Sequence, residues 1–158
     1  MTLDPGVFKA YDIRGTVPDQ LDPALARRIG QAFAAHLGGG RILVGRDMRT
    51  HSPDIAGAVI EGLTSAGADV VDIGLASTPM TYFAIGSQDV DGGLCVTASH
   101  NPGQYNGMKL CSRGAKPISR ATGIADLEAA CAAPEPAAAA DRGAVETLDL
   151  QEAYARHV

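Results

Sequence analysis

The run Val96-Thr97-Ala98-Ser99-His100-Asn101-Pro102-Gly103 gathers several chemically capable side chains at one point of the chain. Gly93 to Thr97 reads as a short apolar strand, and Asn-Pro followed by Pro-Gly breaks it at once. Ser99 is therefore expected in a loop leaving the carboxyl end of a strand, where open α/β sheets bind their ligands. A hydroxyl in that position suits a nucleophile or a phosphoryl carrier. His100, whose unperturbed pKa is about 6.5, could orient a phosphate or shuttle a proton. The same residues also have a purely structural reading: Ser and Asn hydrogen-bond their own backbone in turns, and a histidine can simply pack there.

The charge pattern narrows the ligand. A formal net charge of -5 over 158 residues, with four Tyr, three Phe and no Trp, provides neither a basic field nor stacking platforms for nucleic acid. An anionic ligand would have to be held by a few local cations and backbone amides, and Arg14 and Lys109 are the cations to test first. Residues 1 to 10 carry no secretory-leader pattern, and no apolar run reaches the roughly 18 residues of a membrane span. The three cysteines, Cys95, Cys111 and Cys131, are odd in number and lack C-x-x-C spacing. Buried, inert thiols in a reducing cytoplasm are the expectation.

Alternating strands and helices must position these groups. Asp22 and Pro23 open a helix that places Leu25, Ile29, Phe33 and Leu37 four apart and closes at Gly38. Arg41 to Val44 reads as a buried strand, Ser52-Pro53 as the start of a second helix, and Ala68 to Ile73 as another strand. Thr78-Pro79 reads as cap and first turn of a third helix, running to about Gly86. After the serine loop, Asn106-Gly107 reads as a turn opening a strand to Ser112, and Ser119 caps a last helix through Cys131. The pattern predicts a layered α/β/α domain with a mixed, largely parallel sheet. From 134 to 158 the composition turns Pro/Ala-rich, which predicts that a domain spanning 1–133 gives way to a connector, with Val145 to Leu150 and a short helix near Tyr154 inside it. Arg46, Asp47 and Arg49 are expected to form an ion-pair network holding loops at the sheet edge.

Thr97 to Pro102, T-A-S-H-N-P, closely resembles the active-serine signature of the α-D-phosphohexomutases. Y-D-I-R-G (11–15), G-R-D-M-R (45–49), D-I-G-x-x-x-T-P (72–79) and N-G-M-K (106–109) resemble further blocks of that family, in its order. V-T-A-S-H-N-P and Y-D-I-R-G are more similar to the phosphomannomutase/phosphoglucomutase branch than to the phosphoglucosamine branch. The resemblance implies that Ser99 is a phosphoserine exchanging its phosphoryl group with a hexose phosphate through a 1,6-bisphosphate, and that Lys109 and Arg14 flank that group. It also implies Mg²⁺ bound partly through a phosphoserine oxygen at Ser99; His100 is a site candidate because it directly follows the nucleophile, and Tyr11 either lines the cleft as a substrate contact or simply packs at the sheet edge. The family's fold is four domains around a cleft, of which this sequence resembles the first; the D-G-D metal loop of the second, the sugar-recognition loop of the third and the phosphate-binding loop of the fourth have no counterpart here. The chain alone is accordingly expected to be inert, with the remaining domains of the same enzyme as its partners. The rival expectation is a noncatalytic phosphate-binding or interaction domain that kept the motifs.

Overall fold

A computed structural model describes residues 2–158. Seven strands form one sheet: β1 (Ile13–Thr16), β2 (Arg41–Arg46), β3 (Asp69–Leu75), β4 (Gly92–Val96), β5 (Tyr105–Ser112), β6 (Lys116–Pro117) and β7 (Val145–Thr147). The order is β1-β5-β4-β2-β3-β7, with β6 paired to β5. Because β5 is antiparallel to β1, β4 and β6 while β2, β3, β4 and β7 pair in parallel, β5 alone opposes the direction of the other strands. The sheet is mixed and largely parallel, as expected.

Helices α1 (Pro23–Leu37), α2 (Ser52–Ser65) and α4 (Ala125–Ala132) cover one face; α3 (Thr78–Ser87) and α5 (Gln151–His157) lie on the other. The alternation of the strands serves both layers. Ile42, Val44, Leu94, Val96, Met108 and Leu110 join the core under α1 and α2, whereas Leu43, Val71, Ile73 and Cys111 join the core under α3. Such two-sided burial explains why the strands read as continuous apolar runs. No helix among the described residues is long and apolar enough to cross a membrane.

The helix ends follow local chemistry. The Asp22 carboxylate accepts from Leu25 N at 2.8 Å, Pro23 occupies the first turn, and Gly38 ends α1 in the left-handed conformation at φ 77°. At α3 the cap is Ser77, whose hydroxyl accepts from Met80 N, and Thr78 is the first helical residue rather than the cap. At α2 the Ser52 hydroxyl caps nothing, because it is committed to Asp47 and Asn106.

Two glycines decide close approaches. Asn106-Gly107, expected as a turn, lies within β5 opposite Gly15 and Arg14 of β1. A Cβ on Gly107 would sit 1.9 Å from the Ile13 carbonyl oxygen, so glycine serves strand packing here. On α2, a Cβ on Gly62 would lie 2.0 Å from the Arg27 carbonyl oxygen of α1, so the two helices cross nearly backbone to backbone. Gly62→Ala must force them apart, and we expect a loss of about 2–3 kcal/mol in urea-melt stability, the scale of overpacking a rigid core. A change below about 0.5 kcal/mol would show that the crossing yields freely.

Residues 134–158, expected as a connector, are stitched along the body. Ala139 N donates to Ser65 O, Gly143 N to Thr64 O and Leu148 N to Asp72 O, and β7 adds to the sheet edge beside β3. Tyr154 and His157 of α5 pack on Phe83, with ring centroids 5.5 and 4.7 Å away. Ion pairs of Glu135 with Arg27, Glu146 with Arg41 and Arg142 with Glu61 add to these attachments, and composition does not reveal such pairings.

Candidate active site

The carboxyl ends of β2, β3 and β4 meet at one sheet edge, and the loops leaving them converge. β4 is extended past Val96 by Thr97 N, which donates to Gly107 O at 2.9 Å. The chain then turns sharply: Ser99 takes the left-handed conformation at φ 57°, its amide donates to Thr97 Oγ1 at 3.0 Å, and Asn101 N closes the turn on Ala98 O. A non-glycine residue in that region is strained and needs its surroundings to hold it. The Ser99 hydroxyl is 3.3 Å from His100 Nδ1, and both residues are exposed. If Ser99 donates, the imidazole carries its proton on Nε2.

Arg49, on the loop after β2, reaches across to this turn. Its Nη1 donates to Pro102 O at 2.8 Å and Tyr105 O at 3.1 Å, and its Nη2 to Ser99 O at 3.0 Å and Asn101 O at 2.6 Å. Asp47 balances the charge, 3.3 Å from Arg49 Nε, and accepts from Arg49 N and the Ser52 hydroxyl. Asn106 Nδ2 donates to Ser52 Oγ and lies 2.9 Å from His51 Nδ1, while His51 Nε2 lies 3.0 Å from Gly103 O. Both His51 contacts are satisfied when the proton sits on Nε2.

The register of β1 against β5 puts Arg14 opposite Gly107 and Ile13 opposite Met108. Ile13 and Met108 point into the α1–α2 core, so Asp12, Arg14 and Lys109 project from the other face. There Arg14 Nη2 pairs with Asp12, Arg14 Nη1 donates to Asn101 Oδ1 at 2.7 Å, and Lys109 Nζ lies 3.8 Å from Asp12 Oδ2. One carboxylate thus faces two cations, leaving positive charge on a surface tied to the serine loop through Asn101. Arg14 Nε is buried without a partner.

Ser99 and His100 also line an open cleft of about 640 Å³ with Asp47, Leu75, Ser77 and Thr97. The cleft brings Ser99 and His100 together; Arg14 touches the same loop through Asn101, Lys109 is linked to it only through Asp12, and neither lines the cleft or hydrogen-bonds Ser99. Tyr11 stands apart, 79% exposed and outside the cleft lining. Asp47 and Arg49 pair as the sequence suggested, but Arg46 stays out of the network: among the described residues its side chain makes no ion pair and only donates to the Asp47 backbone carbonyl at 3.4 Å. The grip of Arg49 on four carbonyls, and the Asn101 link to Arg14, had no signal in composition or spacing.

All three cysteines are free and buried. Burial pushes the Cys111 and Cys131 thiols up to about 11 and raises Cys95 as well, which keeps them protonated and unreactive near neutral pH. Among the described residues no three His, Cys, Asp or Glu side chains converge on a point. The carboxylates of the site, Asp12 and Asp47, are engaged by Arg14, Lys109, Arg49 and Ser52. These residues alone do not fit the octahedral oxygen shell of Mg²⁺.

Residues 5–136 match the family described as "Phosphoglucomutase/phosphomannomutase, alpha/beta/alpha domain I". A "Phosphohexose mutases" protein of Xanthomonas campestris pv. campestris is 46% identical over 158 residues, covering 100% of this chain and 35% of its own length. A "Phosphomannomutase" of Klebsiella pneumoniae is 51% identical over 121 residues, 77% of each chain. The crystal structure of a phosphoglucomutase/phosphomannomutase family protein from Burkholderia thailandensis superposes with a TM-score of 0.87 at 36% identity, covering 97% of this chain and 35% of that one. The chain therefore spans about a third of the length of the Xanthomonas and Burkholderia relatives.

Proposed function

Because this chain belongs to the phosphoglucomutase/phosphomannomutase family, as its domain I, we propose that it supplies the phosphoryl-carrying serine of an enzyme that interconverts hexose 1-phosphates and 6-phosphates. The observation that carries the proposal is the setting of Ser99: a hydroxyl on a tight loop at the carboxyl edge of the sheet, 3.3 Å from an imidazole, beside a surface where two cations share one carboxylate.

In this reading the phosphoryl group on Ser99 Oγ passes to the free hydroxyl of a hexose monophosphate. The Oγ–P bond breaks, a sugar O–P bond forms, and the product is a hexose 1,6-bisphosphate. His100 gives a proton to Oγ as it leaves while the attacking sugar hydroxyl loses its own to solvent; when the bisphosphate's other phosphoryl group reloads the serine, His100 takes the Oγ proton and the departing sugar oxygen is protonated from solvent. Lys109 and Arg14 offset charge on the transferring group, whose transition state spreads it over the equatorial oxygens. A phosphoserine brings about -1.5 to -2 charges, enough to compete with Asp12 for both cations. Tyr11, exposed at the start of Y-D-I-R-G, is assigned to contact with the sugar phosphate. Mg²⁺ would take from this chain only an oxygen of the phosphoryl group on Ser99; its other donors would come from elsewhere in the enzyme. Mannose or glucose phosphates are the proposed substrates, following the relatives' names.

The test compares residues 1–158 alone with the same residues joined to the further domains that the longer relatives carry. Serine at its ordinary pKa does not attack an unactivated phosphate unaided, and an open cleft excludes no water. We expect turnover of mannose or glucose 1-phosphate only from the longer protein. Robust interconversion by residues 1–158 free of contaminating mutase would contradict the assignment of this chain as one part of a composite site.

A further inference from the structure

We propose that Arg49 is a positioning residue of the serine loop, acting on the backbone and not on the sugar phosphate; this rests on the reading of Ser99 as phosphoryl carrier. A guanidinium offers four η N–H donors. Here they meet four carbonyl oxygens, those of Ser99, Asn101, Pro102 and Tyr105, all within one loop. None of the four is left to bind an anion. The remaining Nε is buried 3.3 Å from Asp47 Oδ2 as an ion pair without a hydrogen bond, and the side chain is only 12% exposed.

The clamp is itself anchored. Asp47 is held by Ser52, Ser52 by Asn106 at the start of β5, and His51 ties Asn106 to Gly103 at the far end of the loop. Both ends of the loop and its middle are therefore fastened to residues 47–52. This explains how Ser99 keeps its left-handed backbone at φ 57°, a conformation unfavourable for an L-residue. Released from Arg49, Ser99 would relax toward the common basins and swing its hydroxyl off the line toward His100. Lysine cannot substitute: a compact ammonium with three donors cannot span four carbonyls.

The experiment uses Arg49→Lys and Arg49→Met in the full mutase, with hydrogen–deuterium exchange on peptides and steady-state kinetics. Peptides covering 98–105 should lose about 10-fold or more of their protection, while β2 peptides stay protected and report an intact fold. kcat should fall about 10- to 10²-fold with KM within about 2-fold, and Arg49→Lys should be as poor as Arg49→Met, since geometry rather than charge is lost. Unchanged loop protection would overturn the clamp. A raised KM that lysine restores would make Arg49 a substrate ligand and overturn its positioning role. Full activity in Ser99→Ala together with a loosened loop in the Arg49 variants would remove the phosphoserine premise instead, and with it the positioning role.

Discussion

Ser99→Ala in the complete enzyme is expected to lower kcat on the order of 10⁴-fold or more, the scale of deleting a covalent nucleophile. The fold should barely register the change. Ser99 is exposed, its side chain makes only the 3.3 Å contact with His100, and its carbonyl stays in the grip of Arg49 whatever the side chain. Alanine meets the same left-handed strain as serine, so the melting temperature should move by about 2 °C or less. Ser99→Gly sharpens the test. Glycine relieves the strain at φ 57° and should stabilise the loop slightly while remaining equally inactive. Activity in either variant would place the phosphoryl carrier elsewhere.

The second large effect is expected at Lys109. Lys109→Met should reduce kcat about 10²-fold, the scale of removing one preorganised electrostatic contact to a developing charge. Its stability role is small by comparison. The ammonium is 3.8 Å from Asp12 and 28% exposed, a pair of about 1 kcal/mol or less once solvent screening is counted. Arg14 remains to balance Asp12 when Lys109 is gone. The predicted signature is thus a collapsed kcat with a melting temperature within a few degrees of the parent. A near-normal kcat with a clearly depressed melting temperature would make Lys109 a structural partner of Asp12 and nothing more.

Much of the frame was legible in the residues because local rules and tertiary demands agree there. Asp22-Pro23 and Gly38 mark α1 at both ends, and the apolar runs that became β2, β3 and β4 are buried on both faces of the sheet. The failures occur where a long-range partner overrides a local preference. Asn106-Gly107 is a strong turn signal, yet Gly107 is needed where β1 crosses closest and Asn106 is drawn to His51 and Ser52. In the Pro/Ala-rich stretch after residue 133 the short elements near Val145 and Tyr154 were legible, but not what they lie against: carbonyls of Thr64, Ser65 and Asp72, and the partners Arg27, Arg41 and Glu61 of Glu135, Glu146 and Arg142. At the site, the motifs made Ser99, Lys109 and Arg14 candidates and left an Arg14 ion pair with Asp12 or Asp47 open, but carried no register or loop shape. Asp12 as the shared counter-ion, Asn101 as the link and Arg49 as the clamp depend on strand register and loop shape.

The central claim is that Ser99 holds and returns a phosphoryl group. The most direct measurement charges the complete enzyme with hexose 1,6-bisphosphate labelled in its phosphoryl groups, maps the label by peptide mass spectrometry, and then adds unlabelled hexose 1-phosphate. We predict one labelled site, on the peptide containing Ser99, and its transfer to the sugar on the timescale of turnover. Label on another side chain, or label on Ser99 that the sugar phosphate fails to discharge, would contradict it.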